Sequence, residues 1–212
     1  MTRIVPFPAA AGTSGTDRSI APDTDTTRGT AGSGASGCAD GADSVSVTDD
    51  AIRTRTEDLL PFLVHAMNWS LDRPHRDAAA LADDPVAFGH VADWGREGDL
   101  GVIGRADDQV PAGVAEAHGA AWMRLPDADV PTRGLVSASI PELMVAVAPD
   151  HQGEGLGRQL VAAALQLARL AGHEAVSAAV DESNGAITLF EELGFTSIGR
   201  TPDDAVLLLR QV

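Results

Sequence analysis

Hydrophobic and polar positions show no period over the first quarter of the chain and become periodic only beyond it. Residues 1 to 49 are mostly Gly, Ser, Thr, Ala and Asp, with few large apolar side chains. Such a segment buries too little surface to offset the entropy of ordering it. It reads as a disordered low-complexity tail, with Val45-Ser46-Val47 as at most a stray strand, and residues 50–212 read as the folded domain. The opening Met1-Thr2-Arg3-Ile4-Val5-Pro6-Phe7-Pro8 is too short in apolar run, and too broken by proline, for a signal peptide. A start codon assigned too far upstream would also leave such a tail.

From residue 51 the pattern changes. A short strand is expected at 51–54. Thr56 is placed as an N-cap with Glu57 and Asp58 behind it, and Leu59, Leu60, Leu63, Ala66 and Met67 recur at helical spacing as far as Trp69. Helical patches follow at 76–82 and 85–94, broken by Asp83-Asp84-Pro85. Strands are predicted at 100–104 and 113–123 around a turn at Asp107-Asp108-Gln109, then a polar connection over 126–139 and an apolar strand at 143–148. A helix over 158–171 ends at Gly172. Next come a strand at 175–180, a short helix at 184–193 stopped by Gly194, and a hairpin of 196–199 with 205–209 about Pro202-Asp203-Asp204. This order predicts an α/β domain with a mixed sheet and helices on both faces.

The strand at 143–148 runs through Pro149-Asp150 into Gln152-Gly153-Glu154-Gly155-Leu156-Gly157, and that loop opens straight into a helix. A glycine-rich strand-to-helix turn presents backbone N–H groups at a helix N-terminus, a seat for phosphate oxygens. A dinucleotide fingerprint fails here, because the sixth position counted from Gly153 is Arg158. A P-loop fails because the chain has no lysine. What remains is the Gln/Arg-x-x-Gly-x-Gly/Ala loop of acetyl-CoA-dependent acyltransferases, filled by Gln152, Gly155 and Gly157.

With this loop, Glu142-Leu143-Met144-Val145-Ala146-Val147-Ala148-Pro149 before it, and Asn184-Gly185-Ala186-Ile187-Thr188-Leu189-Phe190-Glu191-Glu192-Leu193-Gly194-Phe195 some thirty residues on, the chain resembles the GNAT N-acetyltransferase superfamily over roughly residues 51–212. The resemblance implies an α/β fold with a mixed, mostly antiparallel central sheet. It implies acetyl transfer from acetyl-CoA, as co-substrate, to a primary amine by direct attack, with no metal. It assigns the pyrophosphate to the loop around Gln152, to the N–H groups of Gly153, Gly155, Leu156, Gly157 and Arg158, and to the Arg158 side chain unless that is merely solvated. Backbone groups of Val145 and Val147 are assigned to the pantetheine arm, and Asn184 to the cofactor near the slot, with a helix N-cap as its alternative. Glu142 is the expected general base. Glu116 and His118 are its rivals, and a surface ion pair is the competing role for Glu142. The family's acid is a tyrosine, and Phe190 stands in its place, leaving an apolar wall against the thiol and Ser183 as a weak alternative donor. That departure keeps a second possibility open, a catalytically silent acyl-CoA-binding module. Arg124 or Arg133 beside the slot would make a carboxylated donor such as succinyl-CoA plausible.

Composition narrows the partners. A net charge of -16 argues against nucleic acid and against an anionic membrane surface, and it favours a cationic amine if it is more than a means to solubility. The acceptor is a small amine, a protein N-terminus or a lysine. The single cysteine, Cys38, permits no internal disulfide and is consistent with a reducing cytoplasmic setting. The six histidines form no H-E-x-x-H motif. Of Trp69, Trp94 and Trp122, each is assigned to the core before the acceptor pocket. A homodimer is compatible with the pattern and not specified by it.

Overall fold

The computed structural model describes residues 2–8, 56–106, 117–127 and 132–212. Within them run β1 (Thr2–Pro8), α1 (Thr56–Met67), α2 (Ala78–Ala82), α3 (Pro85–Phe88), β2 (Leu100–Ala106), β3 (Gly119–Arg124), β4 (Glu142–Val147), α4 (Leu156–Leu170), β5 (Ala175–Val180), α5 (Ala186–Glu192), β6 (Thr196–Arg200) and β7 (Val206–Gln211). The strands make one sheet in the order β1-β2-β3-β4-β5-β7-β6. Every neighbouring pair is antiparallel except β4 with β5. The mixed, mostly antiparallel sheet between helices is the fold class that the sequence led us to expect.

Strand alternation sorts the core into two layers. Ala121 and Met123 of β3 join Leu156, Leu160, Val161, Ala164 and Ala168 of α4 on one face. Ala120 and Trp122 join Leu59, Phe62 and Leu63 of α1 on the other. Strand β3 is therefore buried on both faces, and its sequence is apolar without interruption up to Arg124. Each fully buried Leu or Val contributes about 1.5–3 kcal/mol, so the α4 stripe alone fixes that helix, and with it the loop that precedes it, against the sheet.

Residues 2–8 correct the expectation of a tail running from residue 1. They form the edge strand β1, antiparallel to β2, with Phe7 opposite Gly101. A Cβ on Gly101 would come within 2.1 Å of the Phe7 ring, so the glycine vacates the seat in which Phe7 is buried. The ring also meets Trp94 at 5.8 Å. Pro6 is tolerable because an edge strand needs ladder bonds on one side only. The remainder of the expected tail, from residue 9 on, lies outside the described residues, as do the strands at 45–47 and 51–54, Cys38, Glu116 and the turn at 107–109.

Thr56 is not an N-cap. It is the first residue of α1, and its hydroxyl donates to the Val91 carbonyl at 2.9 Å and accepts from the Trp94 N–H at 3.2 Å. Side-chain caps are found on α2, where Asp77 accepts from the Ala80 N–H, and on α3, where Asp84 accepts from the Val86 and Ala87 N–H groups. Helices α2 and α3 are correspondingly shorter than the patches expected. The segment after α3 is irregular and is held by Arg124 of β3. That buried guanidinium pairs with Asp99 at 2.8 and 2.6 Å and donates to the carbonyls of Gly89 and Ala92. It also lies 5.3 Å from the Trp94 ring. Arg124 is thus a structural clamp, fully engaged inside the fold, and it offers nothing to a carboxylated acyl donor. Among the described residues, no helix is long and apolar enough to cross a membrane.

Candidate functional site

The loop after β4 is shaped by glycine. Gly153 and Gly155 both have φ of 80°, a left-handed conformation that costs another residue about 1–2 kcal/mol. A Cβ at either would meet nothing within 4 Å, so backbone conformation, not crowding, demands glycine, and the space above the loop is open. Gly155 is the N-cap residue of α4, and no side chain caps that end. The first ladder bond of the helix is from the Gln159 N–H to the Gly155 carbonyl at 3.3 Å. The N–H groups of Leu156, Gly157 and Arg158 come before it and point out of the helix end, where the dipole favours an anion. Leu156 anchors this end, its side chain buried in the α4 core. Gln152 ties the loop back to the strand, its Nε2 donating to the Val147 carbonyl at 3.1 Å. The Arg158 side chain pairs with Glu192 of α5.

Strands β4 and β5 touch at one point only. Glu142 is in register with Ser177, and the Ser177 N–H donates to the Pro141 carbonyl at 3.0 Å. No further pair follows among the described residues, so the strands part beyond Glu142. Backbone groups alternate sides along a strand. Since the Pro141 carbonyl faces β5, those of Leu143, Val145 and Val147 do too. The Val145 and Val147 backbone therefore lines the gap, with the Val147 carbonyl already held by Gln152.

Just past the Glu142–Ser177 pair, where the strands begin to part, the gap opens into a cavity of about 720 Å³. Its walls include Leu143 and Val145 from β4, Ala178 and Ala179 from β5, Phe190 from α5, Met67 at the end of α1 and Trp69 just after it. The three loop glycines are not among its walls. Glu142 lines the cavity and is 2% exposed. Its Oε1 lies 3.9 Å from Nε2 of His90, and its Oε2 has no hydrogen-bond partner. Burial pushes the His90 imidazole below its ordinary range. The Glu142 charge pulls the other way, while the Arg124 and Arg133 guanidiniums add to the depression. His90 therefore stays neutral at physiological pH. Gly134 lies over the carboxylate, where a Cβ would come within 2.7 Å of Glu142 Oε1.

A charged network borders the same cavity. Arg133 donates to Asp203 at 2.6 Å and to Asp181 at 3.2 and 3.3 Å, and Arg73 reaches Asp181 at 3.2 Å. Burial alone would raise the Asp181 and Asp203 carboxyls. For Asp181 the hydrogen bonds and charge of Arg133, with Arg73, outweigh it, and for Asp203 the Thr201 hydroxyl and then Arg133 do so, holding both below the ordinary range.

Most sequence-predicted site residues gather on these surfaces. Glu142, Val145, Asn184 and Phe190 share the cavity, and Val147, Gln152, Gly153, Gly155, Leu156, Gly157 and Arg158 form the far end of the gap. The Asn184 Oδ1 accepts from the Ala186 N–H at 2.9 Å, but Asn184 stands one residue ahead of Gly185, which is the N-cap of α5 in its place. Phe190 is buried edge-to-face on Phe195 at 5.0 Å. Two assignments separate from the site. His118 stacks on His151 at 3.6 Å beside the loop end of β4, away from the cavity, and Ser183 is exposed and off its walls. Trp94 and Trp122 belong to the core. Sequence reasoning missed His90 and Gly134. Each sits in a stretch without a motif, and only the meeting of three segments gives either a role. Among the described residues, no three His, Cys, Asp or Glu side chains converge as a metal site requires.

Solved structures share this architecture. The GNAT domain of S. lividans PAT is 18% identical, with TM-score 0.50, over 74% of this chain and 85% of that one. ACIAD1637, an acetyltransferase candidate from Acinetobacter baylyi ADP1, is 18% identical, with TM-score 0.51, over 74% and 86%. The yncA protein of Salmonella typhimurium, solved with its cofactor acetyl-CoA, is 23% identical, with TM-score 0.47, over 74% and 85%. For the first two, with TM-scores of 0.50 and 0.51, the likeness is one of fold. No curated protein matches the chain in sequence. The model of the Acetyltransferase (GNAT) family matches residues 64–195, more than half of the sequence, and the chain belongs to that family.

Proposed function

We propose that the protein transfers the acetyl group of acetyl-CoA to a primary amine by direct attack, without an acyl-enzyme. The observation that carries this reading is the parting of β4 from β5 immediately after the Glu142–Ser177 pair. It leaves a backbone-lined gap with an anion seat at one end and a buried carboxylate at the other. Five strand residues separate those ends by about 17 Å, the order of an extended pantetheine arm. The pyrophosphate sits on the N–H groups from Gly153 to Arg158. The arm runs along Val145 and Val147, and the thioester lies by Phe190 and Asn184.

The amine enters through the cavity as an ammonium and gives a proton to Glu142, directly or through one water. The neutral nitrogen then attacks the thioester carbonyl. A β4 backbone N–H that faces the gap steadies the oxyanion. The new C–N bond forms, the C–S bond breaks, and the thiolate leaves. Phe190 gives it no proton, and none is essential at once, because a thiol of pKa about 8.5 is a tolerable leaving group unassisted. The second proton of the attacking nitrogen passes through water to the CoA thiolate, and Glu142 returns its own proton to solvent, so the products are the amide and the free thiol. The buried hydroxyl-free ring of Phe190 is the one feature that favours the other reading, a silent acyl-CoA-binding module.

Thermal unfolding with acetyl-CoA, CoA and succinyl-CoA tests the proposal. At about 100 times Kd a ligand adds some 2.7 kcal/mol of stability. Stabilisation by acetyl-CoA, with thiol release when amines are added, is the expected result. Stabilisation without thiol release from any amine favours the silent module, and no stabilisation by any of the three rejects both readings.

A further inference from the structure

The cavity in front of Glu142 carries a charge pattern that selects among amines. Resting on the acetyl-transfer reading, we infer that the acceptor is a monoamine with an uncharged, largely apolar body, and that amino acids are excluded from this site.

Three guanidiniums lie on the cavity wall among the described residues, and each is bound to a carboxylate. Arg76 meets Asp84 at 2.7 Å, Arg73 meets Asp181 at 3.2 Å, and Arg133 meets Asp203 at 2.6 Å while sharing Asp181. Those three cations and three anions cancel. His90 is neutral, so the net charge of the wall is the single negative charge of Glu142. An α-carboxylate carried in beside the amine would find no unclaimed cation, and it would stand against Glu142 in a partly dehydrated space. Stripping water from a carboxylate without a partner is costly. A second ammonium fares little better, because Asp84, Asp181 and Asp203 are already occupied.

Two polar atoms on this wall are buried without hydrogen-bond partners, Glu142 Oε2 and Thr132 Oγ1. They suit one ammonium, or an ammonium and one hydroxyl. Apart from these atoms, Asn184, His90 and the three ion pairs, the surface is apolar, from Met67 and Trp69 to Met144 and Phe190. Leu71 and Leu135 are fully or largely exposed, and they belong to the segments that supply Trp69 and Arg73, and Thr132 and Arg133, to the wall. Large hydrophobics left in water on segments that also line the cavity fit an acceptor whose body is itself apolar.

Matched acceptors that differ only by the carboxylate test this: 2-phenylethylamine with phenylalanine, 3-methylbutylamine with leucine, and tryptamine with tryptophan. Thiol release from acetyl-CoA gives kcat/KM, and melting of the CoA-loaded protein reports binding. In at least one pair the monoamine should exceed its amino acid by about 100-fold or more. Equal or better use of the amino acid overturns the inference. So does failure of all three monoamines to react or bind while acetyl-CoA still stabilises the protein, a result that leaves the donor reading standing. If acetyl-CoA itself does not bind, both fall. Asp181→Asn, with Asp203→Asn as the alternative should it not fold, loosens the hold on Arg73 and Arg133 and should narrow the gap within a pair about tenfold. An unchanged ratio in a folded variant refutes the charge argument.

Discussion

At the Val147 end of β4 the site is made of backbone, and at the Glu142 end it is made of side chains. The loop end needs Gly153, Gly155 and the first turn of α4, all within a few consecutive positions. The cavity end draws Glu142 from β4, His90 from the turn after α3, Gly134 from the β3–β4 connection, and Asp181 from the end of β5. A seat built from consecutive backbone groups accepts any ligand with the right phosphates. A cavity built from distant side chains chooses among acceptors. On the acetyl-transfer proposal, the division corresponds to a donor held in common and an acceptor particular to this chain.

The sharpest break between the two ends should come from Gly155→Glu. The left-handed φ strains any other residue, and the new carboxylate faces the anion seat. Acetyl-CoA should then cause no thermal stabilisation in a protein that keeps its far-ultraviolet dichroism. Undiminished stabilisation would remove the phosphate from this loop.

Glu142→Gln addresses the opposite end. With the base lost, kcat should fall by about 10²–10⁴, while acetyl-CoA binding stays near that of the parent. Turnover at the parental rate would retire Glu142 as the base. The two variants together dissociate binding from chemistry, and a protein in which either one damages both functions equally is not divided as described here.

The same division explains what could be read from sequence. The loop, the apolar strand before it and the Asn184 to Phe195 block were legible because each is continuous, and local chemistry such as φ > 0 glycines and an orphan helix end acts over a few residues. Strand β5 was placed at its observed bounds for the same reason. Strand β1 was not, although Ile4, Val5 and Phe7 carried a signal, because its partner starts only at Leu100 and its seat depends on Gly101 lacking a side chain. Asp84 was read as a helix breaker when it is a cap, since both roles call for the same residue before proline. His90 and Arg124 were illegible as a buried neutral imidazole and a buried clamp, because their partners are 52 positions and 25 positions away (Glu142 and Asp99).

Gly134→Ala refines the cavity end without changing its charge. The added methyl would fall 2.7 Å from the Glu142 carboxylate, and a buried side chain has little room to yield. We expect kcat to drop about tenfold, as misplacement of a catalytic group by under an ångström does, with acetyl-CoA affinity retained. Equal loss of affinity and rate would mean that the β3–β4 connection also shapes the donor gap.

The smallest expected effect concerns pH. Burial holds His90 neutral in the fold, whereas the unfolded chain protonates it around its ordinary value of 6.5. Below that value the unfolded state binds more protons, so the folded state loses stability as pH falls from 6.5 toward the depressed folded value, and the contribution is level above 6.5. The stacked His118 at the loop end is also depressed, first by burial and then by His151, and should add a component of the same sign. His90→Asn should flatten only the cavity's share of the slope of melting temperature against pH, and His118→Asn only the loop's. Both ends would then titrate in the same window, with burial the leading cause at each. A slope unchanged by His90→Asn would show that the Glu142 pocket is wet enough to let the ring charge, and it would weaken the case that an unpaired substrate carboxylate is rejected there.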